Sequence, residues 1–490
     1  MSERAILVLD EGTTSTRAIL FAPDGKVLGS AQEELTQHYP RSGWVEHDAS
    51  EIWTKTLQCA RLMVDRAGGA DRIACIGITN QRETVVAWDR DTGEPLAHAI
   101  VWQDRRTAGM CERMRQRGLE DELHRRTGLV LDPYFSATKM RWLLENEPAV
   151  VEAAKRGSLA LGTVESWLVF KLTDGAFVSD ASNASRTMLL PLDGAQFDED
   201  LCGLFDVPLG ALGEVIDNAG DLARTDAALF GGPILITGIA GDQQAATIGQ
   251  GCLETGDAKA TYGTGAFILA NSGSEPPVSD HRLLSTILFQ LGVERTYALE
   301  GSVFVAGSLI QWLRDSLNML GSAPETEELA RSTEDSGGVI IVPALSGLGA
   351  PHWKADATAS ISGLTFSTGK AHIARAALEA MAHQTYDLAK AFAADGARWQ
   401  CLKIDGGMSA NDWMAQDIAD ILNLPVERPD YVETTALGAA MLAAVGAGIH
   451  PDLSSAVEAM RGSTRSFEPG MGDQRRRERL ASWHEALRKL

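Results

Sequence analysis

What this sequence lacks narrows it first. Only six of its 490 residues are cysteine (Cys59, Cys75, Cys111, Cys202, Cys252 and Cys401), widely scattered, with no CxxC and no Cys/His pair. A disulfide framework and a thiolate metal site are disfavoured, and the thiols read as reduced and packed, as in a cytoplasmic protein. No uncharged apolar run approaches the ~20 residues that a membrane helix needs. The nearest, Ala436 to Gly448, is too short and rich in alanine and glycine. The N-terminus has no basic region followed by an apolar core and a small-residue cleavage site, so no signal peptide is expected. Positive charge is scarce: 44 Lys and Arg stand against 66 Asp and Glu, a formal net charge of -22. Such a surface repels polyanions, so neither a nucleic-acid partner nor stable membrane association is expected, while a local basic pocket for a phosphate still fits. A GxGxxG opening a helix is missing, which disfavours a dinucleotide fold, and there is no Walker A loop.

What remains is an ordinary soluble composition, 44% hydrophobic and 22% charged, as in a globular enzyme. A chain of this length exceeds one hydrophobic core, so two large domains, or three smaller ones, are expected. Residues 4 to 33 read as a β-meander: Ile6 to Leu9, Arg17 to Phe21, then a Pro23-Asp24-Gly25 turn into Val27-Leu28-Gly29. A helix around Ile52 to Val64, strands at Ile76 to Ile78 and Thr84 to Trp88, a helix from Ser136 to Leu144 and the segment Gly162 to Phe170 fill out a first α/β half. The pattern restarts near residue 256. Asp257 to Tyr262, Gly263-Thr264-Gly265 and Ala266 to Ala270 again give strand, small-residue turn, strand. The echo points to duplicated domains rather than a solenoid, divided as 1–250 and 251–490. Later segments read as a strand at Gly338 to Val342, a long helix from Ala371 to Ala391, a strand-to-turn unit at Leu402 to Gly407, and a small-residue helix from Thr435 to Val445.

Three turns have the chemistry of a phosphate cradle. Gly12-Thr13-Thr14-Ser15 offers successive N–H groups and hydroxyls, with Arg17 to add charge and Asp10 placed to hold Mg²⁺ directly or through water. The bland alternative is a hairpin whose small residues only satisfy the turn. Gly263-Thr264-Gly265 and Asp405-Gly406-Gly407, followed by Asn411, are individually weak. Together the three suggest a nucleotide held between two related domains. Asp242 stands among glycines and amides in Gly238 to Gln244; it reads either as a helix cap or as a general base for phosphoryl transfer. Asn80-Gln81-Arg82-Glu83 reads as a surface ion pair or as a site for vicinal hydroxyls, which need both a donor fork and an acceptor. Trp102, Tyr134 and Phe267 could wall such a site, or belong to the core.

With these residues assembled, the chain resembles the FGGY carbohydrate kinases, and within them the branch that acts on glycerol. The likeness covers nearly the whole length: Gly43 to Asp48, Ile76 to Glu83, Gly128 to Ser136, Asn183 to Met188, Gly238 to Gln244, Thr261 to Gly265 and Gly347 to Pro351. It implies an α/β fold of two ribonuclease-H-like, actin-like ATPase domains with an interdomain active-site cleft, the second ending in a terminal helix. It implies ATP-dependent phosphorylation of glycerol to sn-glycerol 3-phosphate. By matching positions, Arg82, Glu83, Tyr134, Asp242 and Gln243 become polyol ligands, Trp102 and Phe267 apolar walls, and Asp242 the catalytic base. Thr13, Thr14, Ser15, Arg17 and Thr264 fall around the phosphates, Gly307, Gln311, Gly407 and Asn411 around the adenosine, and Asp10 with Asp242 at the magnesium. Relatives commonly form dimers and tetramers, so a homo-oligomer is expected.

Two departures qualify the likeness. Glu11 stands where the comparable enzymes usually carry glutamine, and a second carboxylate there repels ATP unless it faces away or is neutralised. Gly231-Gly232-Pro233-Ile234 lacks the arginine of the loop that holds fructose 1,6-bisphosphate in some bacterial relatives, so that inhibition is not carried over. A kinase for a longer polyol or ketose, such as erythritol or xylulose, is the nearer rival. An actin-like nucleotide-gated binding protein is the rival from another class, and it leaves Arg82, Glu83 and Asp242 without a task. In the locally basic tail, Gln474 to Leu490, the apolar Leu480, Trp483, Leu487 and Leu490 share a helical face, expected to dock on its own domain.

Overall fold

The computed structural model describes residues 4–292, 294–354, 357–431 and 433–490. In its first half β1 (Ala5–Glu11), β2 (Ser15–Phe21) and β3 (Val27–Glu34) form an antiparallel meander, and β1 pairs in parallel with β4 (Ile73–Asn80). β5 (Ala219–Arg224) and β6 (Leu235–Gly241) complete a six-stranded sheet of order β5-β6-β4-β1-β2-β3, with β6 parallel to β4. The second half repeats the plan. β7 (Ala258–Tyr262), β8 (Ala266–Gly273), β9 (Leu284–Leu291) and β10 (Glu294–Val303) are antiparallel, in the spatial order β9-β10-β8-β7. β7 then pairs in parallel with β11 (Leu402–Asp405), β11 with β12 (Val426–Pro429), and β13 (Thr464–Phe467) closes the edge. Each half is thus a set of antiparallel strands joined through its first strand to parallel strands.

Parallel pairing requires crossovers, and helices supply them. α1 (Ala49–Ala67) starts on Asp48, whose side chain accepts from Ser50 N, and ends at Gly68 with φ 98°. Its buried Ile52, Thr56, Cys59, Ala60 and Met63 recur at helical spacing and make one apolar stripe. Along β1 the side chains alternate: Leu7 and Leu9 join the core beneath α1 and α2 (Val164–Leu172), while Ile6 and Val8 point the other way. The strand expected at Thr84 to Trp88 is instead Val86–Asp89, paired with Leu159–Gly162 outside the main sheet. The backbone turns at Glu83, with φ 61°, before it can form.

The face bearing Ile6, Val8, Ile19, Phe21 and Cys75 is covered from far along the chain. α3 (Asp242–Gly249) follows β6, and α4 (Gly307–Asp315), α5 (Lys370–Ala394) and α6 (Asp412–Leu422) belong to the second half. α7 (Thr434–Gly446) leaves the second sheet after β12 and packs on the first, with Ala436, Ala439, Ala440 and Ala443 in its core. α3 and α7 cross with backbones touching. A Cβ at Gly438 would lie 1.8 Å from the Ala245 carbonyl oxygen, and one at Gly249 2.0 Å from that of Thr434. The small residues of this helix therefore serve contact with the sheet of the other half. The terminal helix α8 (Asp473–Arg488) docks on the second half, burying Trp483 and Leu487 beside Val342, Ala344 and Leu348. Among the described residues no helix is long and apolar enough to cross a membrane.

Candidate active site

Three parallel strands end level with one another. Glu11 of β1 pairs with Asn80 of β4, which pairs with Gly241 of β6. The residues just past these ends (Gly12 to Ser15, Gln81 to Glu83, and Asp242 with Gln243) are therefore delivered to one edge, where open α/β sheets bind ligands. Opposite them lie the Gly263-Thr264-Gly265 turn and the inner face of the second sheet. A cavity of about 170 Å³ between the halves is lined by Thr13, Arg82, Glu83, Trp102, Tyr134, Asp242, Gln243, Thr264 and Phe267, with Thr261, Gly263 and Gly265. All seven residues assigned to the polyol meet there, together with one hydroxyl from each of two turns expected to hold phosphate.

The charges around the cavity form a closed ring. Arg82 donates to Glu300 through both terminal nitrogens, at 2.6 and 3.1 Å. Arg186 donates to Glu300 at 3.0 Å and, from Nε, to Glu83 at 2.7 Å, while Glu83 lies 3.9 Å from Arg82 Nε. The four side chains are at most 2% exposed. Burial works against the Glu300 carboxylate, but Arg186 and Arg82 outweigh it and hold its pKa down to about 2. Burial raises the pKa of Glu83, opposed by Arg82 and Arg186. Lys139 Nζ supports this backbone, donating to the carbonyls of Glu83, Tyr134 and Phe135.

Asp242 sits at the first helical position of α3, and the cap position is Gly241. Its Oδ1 accepts from Gln243 N at 2.7 Å and lies 3.2 Å from Arg82 Nε. Burial raises its pKa, opposed by Arg82 and Lys259. The aromatic walls are mutually braced: Trp102 meets Tyr134 and Phe267 edge to face at 5.8 and 6.1 Å, and its Nε1 donates to Thr13 Oγ1 at 2.9 Å.

At the first turn, Gly12 N donates to Ser15 O at 3.0 Å, closing a tight loop. Arg17 spans the cleft edge, pairing with Asp10 of its own sheet at 2.5 Å and with Glu433, beside α7, at 2.6 Å. Strand alternation sends Glu11 away from Asp10. Its Oε2 accepts from Thr56 of α1 at 2.8 Å, its Oε1 has no partner among the described residues, and burial lifts its pKa to about 8. The carboxylate beside the turn thus both faces away and is largely protonated at neutral pH. Thr14 is exposed and Ser15 accepts from Gln32. Across the cleft, Thr264 O accepts from Ala306 N and Ser308 N, tying the second turn to the start of α4.

The four residues expected around the adenosine lie outside the cavity. Gly307 opens α4 and approaches Met408, the neighbour of Gly407, while Gln311 stands exposed one turn on. Asn411 caps α6 through Met414 N and donates to Thr326. Sequence reasoning missed Arg186, Lys259 and Glu300. Arg186 lay within a matched stretch without a role, while Lys259 and Glu300 alternate with apolar residues along strands, as solvent-facing side chains do.

Residues 5–249 match the FGGY family of carbohydrate kinases, N-terminal domain, and residues 258–447 its C-terminal domain. The chain is 50% identical over 490 residues to a glycerol kinase of Methylobacterium nodulans, covering 99% of this chain and 97% of that protein. It is 50% identical over 486 residues to one of Gluconobacter oxydans, covering 99% and 95%. Among solved structures, Plasmodium falciparum glycerol kinase with ADP superposes with a TM-score of 0.93 at 36% identity, covering 99% of this chain and 98% of that one.

Proposed function

The chain belongs to the FGGY family of carbohydrate kinases, and we propose that it transfers the γ-phosphoryl group of ATP to a terminal hydroxyl of glycerol, giving sn-glycerol 3-phosphate. The observation that carries this reading is the convergence of a donor fork, acceptor carboxylates and aromatic walls on one small cavity that also holds hydroxyls of both facing turns. Arg82, Glu83, Tyr134 and Gln243 orient the polyol, and Trp102 and Phe267 enclose its carbons. Asp242 accepts the proton of the attacking hydroxyl as its oxygen bonds to the γ-phosphorus and the bond to the ADP oxygen breaks. Thr13, Thr14, Ser15, Arg17 and Thr264 steady the phosphates. The interdomain position keeps water, the competing acceptor, out. Most of the acceleration then comes from positioning and electrostatics.

Asp10 and Asp242 offer hard carboxylate oxygens. Among the described residues no group of three or more acidic, histidine or cysteine side chains forms a metal cage. Two carboxylates without a cage suit magnesium carried in with the phosphates, and Asp10 and Asp242 would hold it. When bound, it supplies positive charge to the phosphate oxygens.

The test is a coupled ADP-release assay comparing glycerol, dihydroxyacetone, erythritol and xylulose. Glycerol-dependent turnover is expected, with Asp242→Asn lowering kcat by about 10²–10⁴-fold. Preference for another polyol would overturn the substrate, and ADP release indifferent to every polyol would overturn the reaction.

A further inference from the structure

The inner face of the second sheet is a built platform. Lys259 of β7 pairs with Leu269 of β8, which pairs with Glu300 of β10, so these three form one row across the strands. Thr261, Phe267 and Ser302 form the next row. Side chains two apart on a strand share a face, so both rows point into the first half. Glu300 and Phe267 already have their tasks there. Lys259 is fully buried, and beyond the pull of its charge on Asp242 it has no task in the mechanism. Its Nζ donates to Gln243 Oε1 at 2.5 Å and to Thr261 Oγ1 at 2.9 Å.

An ammonium has three donors and no acceptor, so the end of the Gln243 amide that faces it must be the oxygen. A glutamine left free can present either end to a ligand. With the oxygen held by Lys259, Gln243, which lines the cavity, has its NH₂ end free to donate to the polyol. We infer that Lys259 is a positioning residue for phosphoryl transfer, reaching from the second half to fix Gln243 of the first as a hydrogen-bond donor to the polyol. Because Lys259 and Gln243 stand on different halves, this donor is set only when the halves are together.

The inference rests on Gln243 being a polyol ligand, and the experiment separates the two. Steady-state kinetics are compared for the unaltered enzyme, Gln243→Ala, Gln243→Glu, Lys259→Met and the Lys259→Met, Gln243→Ala double variant. Loss of one such hydrogen bond is expected to raise the glycerol KM about tenfold. Gln243→Glu, which swaps the donor for an acceptor while Lys259 remains, should lose as much as Gln243→Ala. Lys259→Met should raise the glycerol KM similarly, leave the ATP KM within about twofold, and add almost nothing in the Gln243→Ala background, the mark of acting through one group. Gln243→Glu with an unchanged glycerol KM overturns the inference. So does a Lys259→Met effect that is fully additive with Gln243→Ala, or that falls equally on ATP. A Gln243→Ala enzyme with unchanged glycerol KM overturns the ligand assignment itself. Should Lys259→Met not fold, Lys259→Arg, which keeps a donor toward Gln243, decides in its place: a glycerol KM within about threefold of the unaltered enzyme supports the inference, and one raised as far as in Gln243→Ala overturns it.

Discussion

The crossing of α3 and α7 yields a sharp prediction, because it ties a residue far from the chemistry to Asp242, the proposed general base. Gly438→Ala puts a Cβ 1.8 Å from the Ala245 carbonyl oxygen, 2.6 Å from its carbon and 2.8 Å from Gly249 N, all backbone atoms that no rotamer change can clear. Ordinary contact begins at roughly 3.4 Å, so the helices must part by about 1.5 Å. Overpacking of this kind costs about 1–3 kcal/mol of stability. The functional loss should be larger in proportion. α3 begins with Asp242 and is two turns long, so it moves as a body and carries the base and Gln243 with it. A displacement near 1 Å costs on the order of 100-fold in rate. The assay pairs glycerol-dependent ADP release with urea unfolding. Gly203→Ala, whose Cβ would meet nothing within 4 Å, is the control. A Gly438→Ala enzyme with kcat within about threefold of the original would refute the idea that this crossing sets the position of Asp242.

Glu11→Gln tests the neutralised carboxylate. With a folded pKa of about 8 against 4.5 in the unfolded chain, the native state holds a proton that the unfolded state sheds. Glu11 therefore lowers stability progressively as pH rises from 4.5 to about 8, and the variant should gain about 3 kcal/mol between pH 5 and pH 8 in urea unfolding; parallel pH curves would count against it. Glu300→Gln leaves two buried guanidinium groups with Glu83 between them and only Asp242 beside Arg82, so a loss of about 3–5 kcal/mol is expected by the same method. Phe267→Ala opens the wall facing Trp102, so the ratio of kcat/KM for erythritol to that for glycerol should rise by about tenfold, read in the ADP-release assay.

Much of this was legible from local pattern. An apolar run ending in acid, glycine and hydroxyls announced the first turn, and the same grammar at Tyr262 to Ala266 announced the second. Arg82, Glu83 and Asp242 stood out because each follows a strand that ends abruptly in polar residues. What escaped depended on tertiary docking. Lys259 and Thr261 alternate with Ala258, Ala260 and Tyr262, the pattern of a half-exposed strand, and only the first half arriving over that face buries Lys259 and leaves Thr261 partly covered. Glu11 raised a doubt that parity along β1 answers, because a strand buried on both faces sends neighbouring side chains to different surroundings. The alanine-rich helix was readable as one that packs closely on a sheet. Which sheet was not, since composition does not encode the partner.

That partner choice shapes how the protein comes into being. A ribosome releases the whole first sheet long before α7, so Ile6, Val8, Ile19, Phe21 and Cys75 emerge without the surface that covers them. At roughly 5–20 residues per second, the two hundred residues between β6 and the end of α7 take about 10–40 s to synthesise. During that interval the nascent half has only Ala245 and Ile248 of α3 over that apolar face, an invitation to aggregation and to chaperones. The first half thus completes this part of its core only when the second has been made.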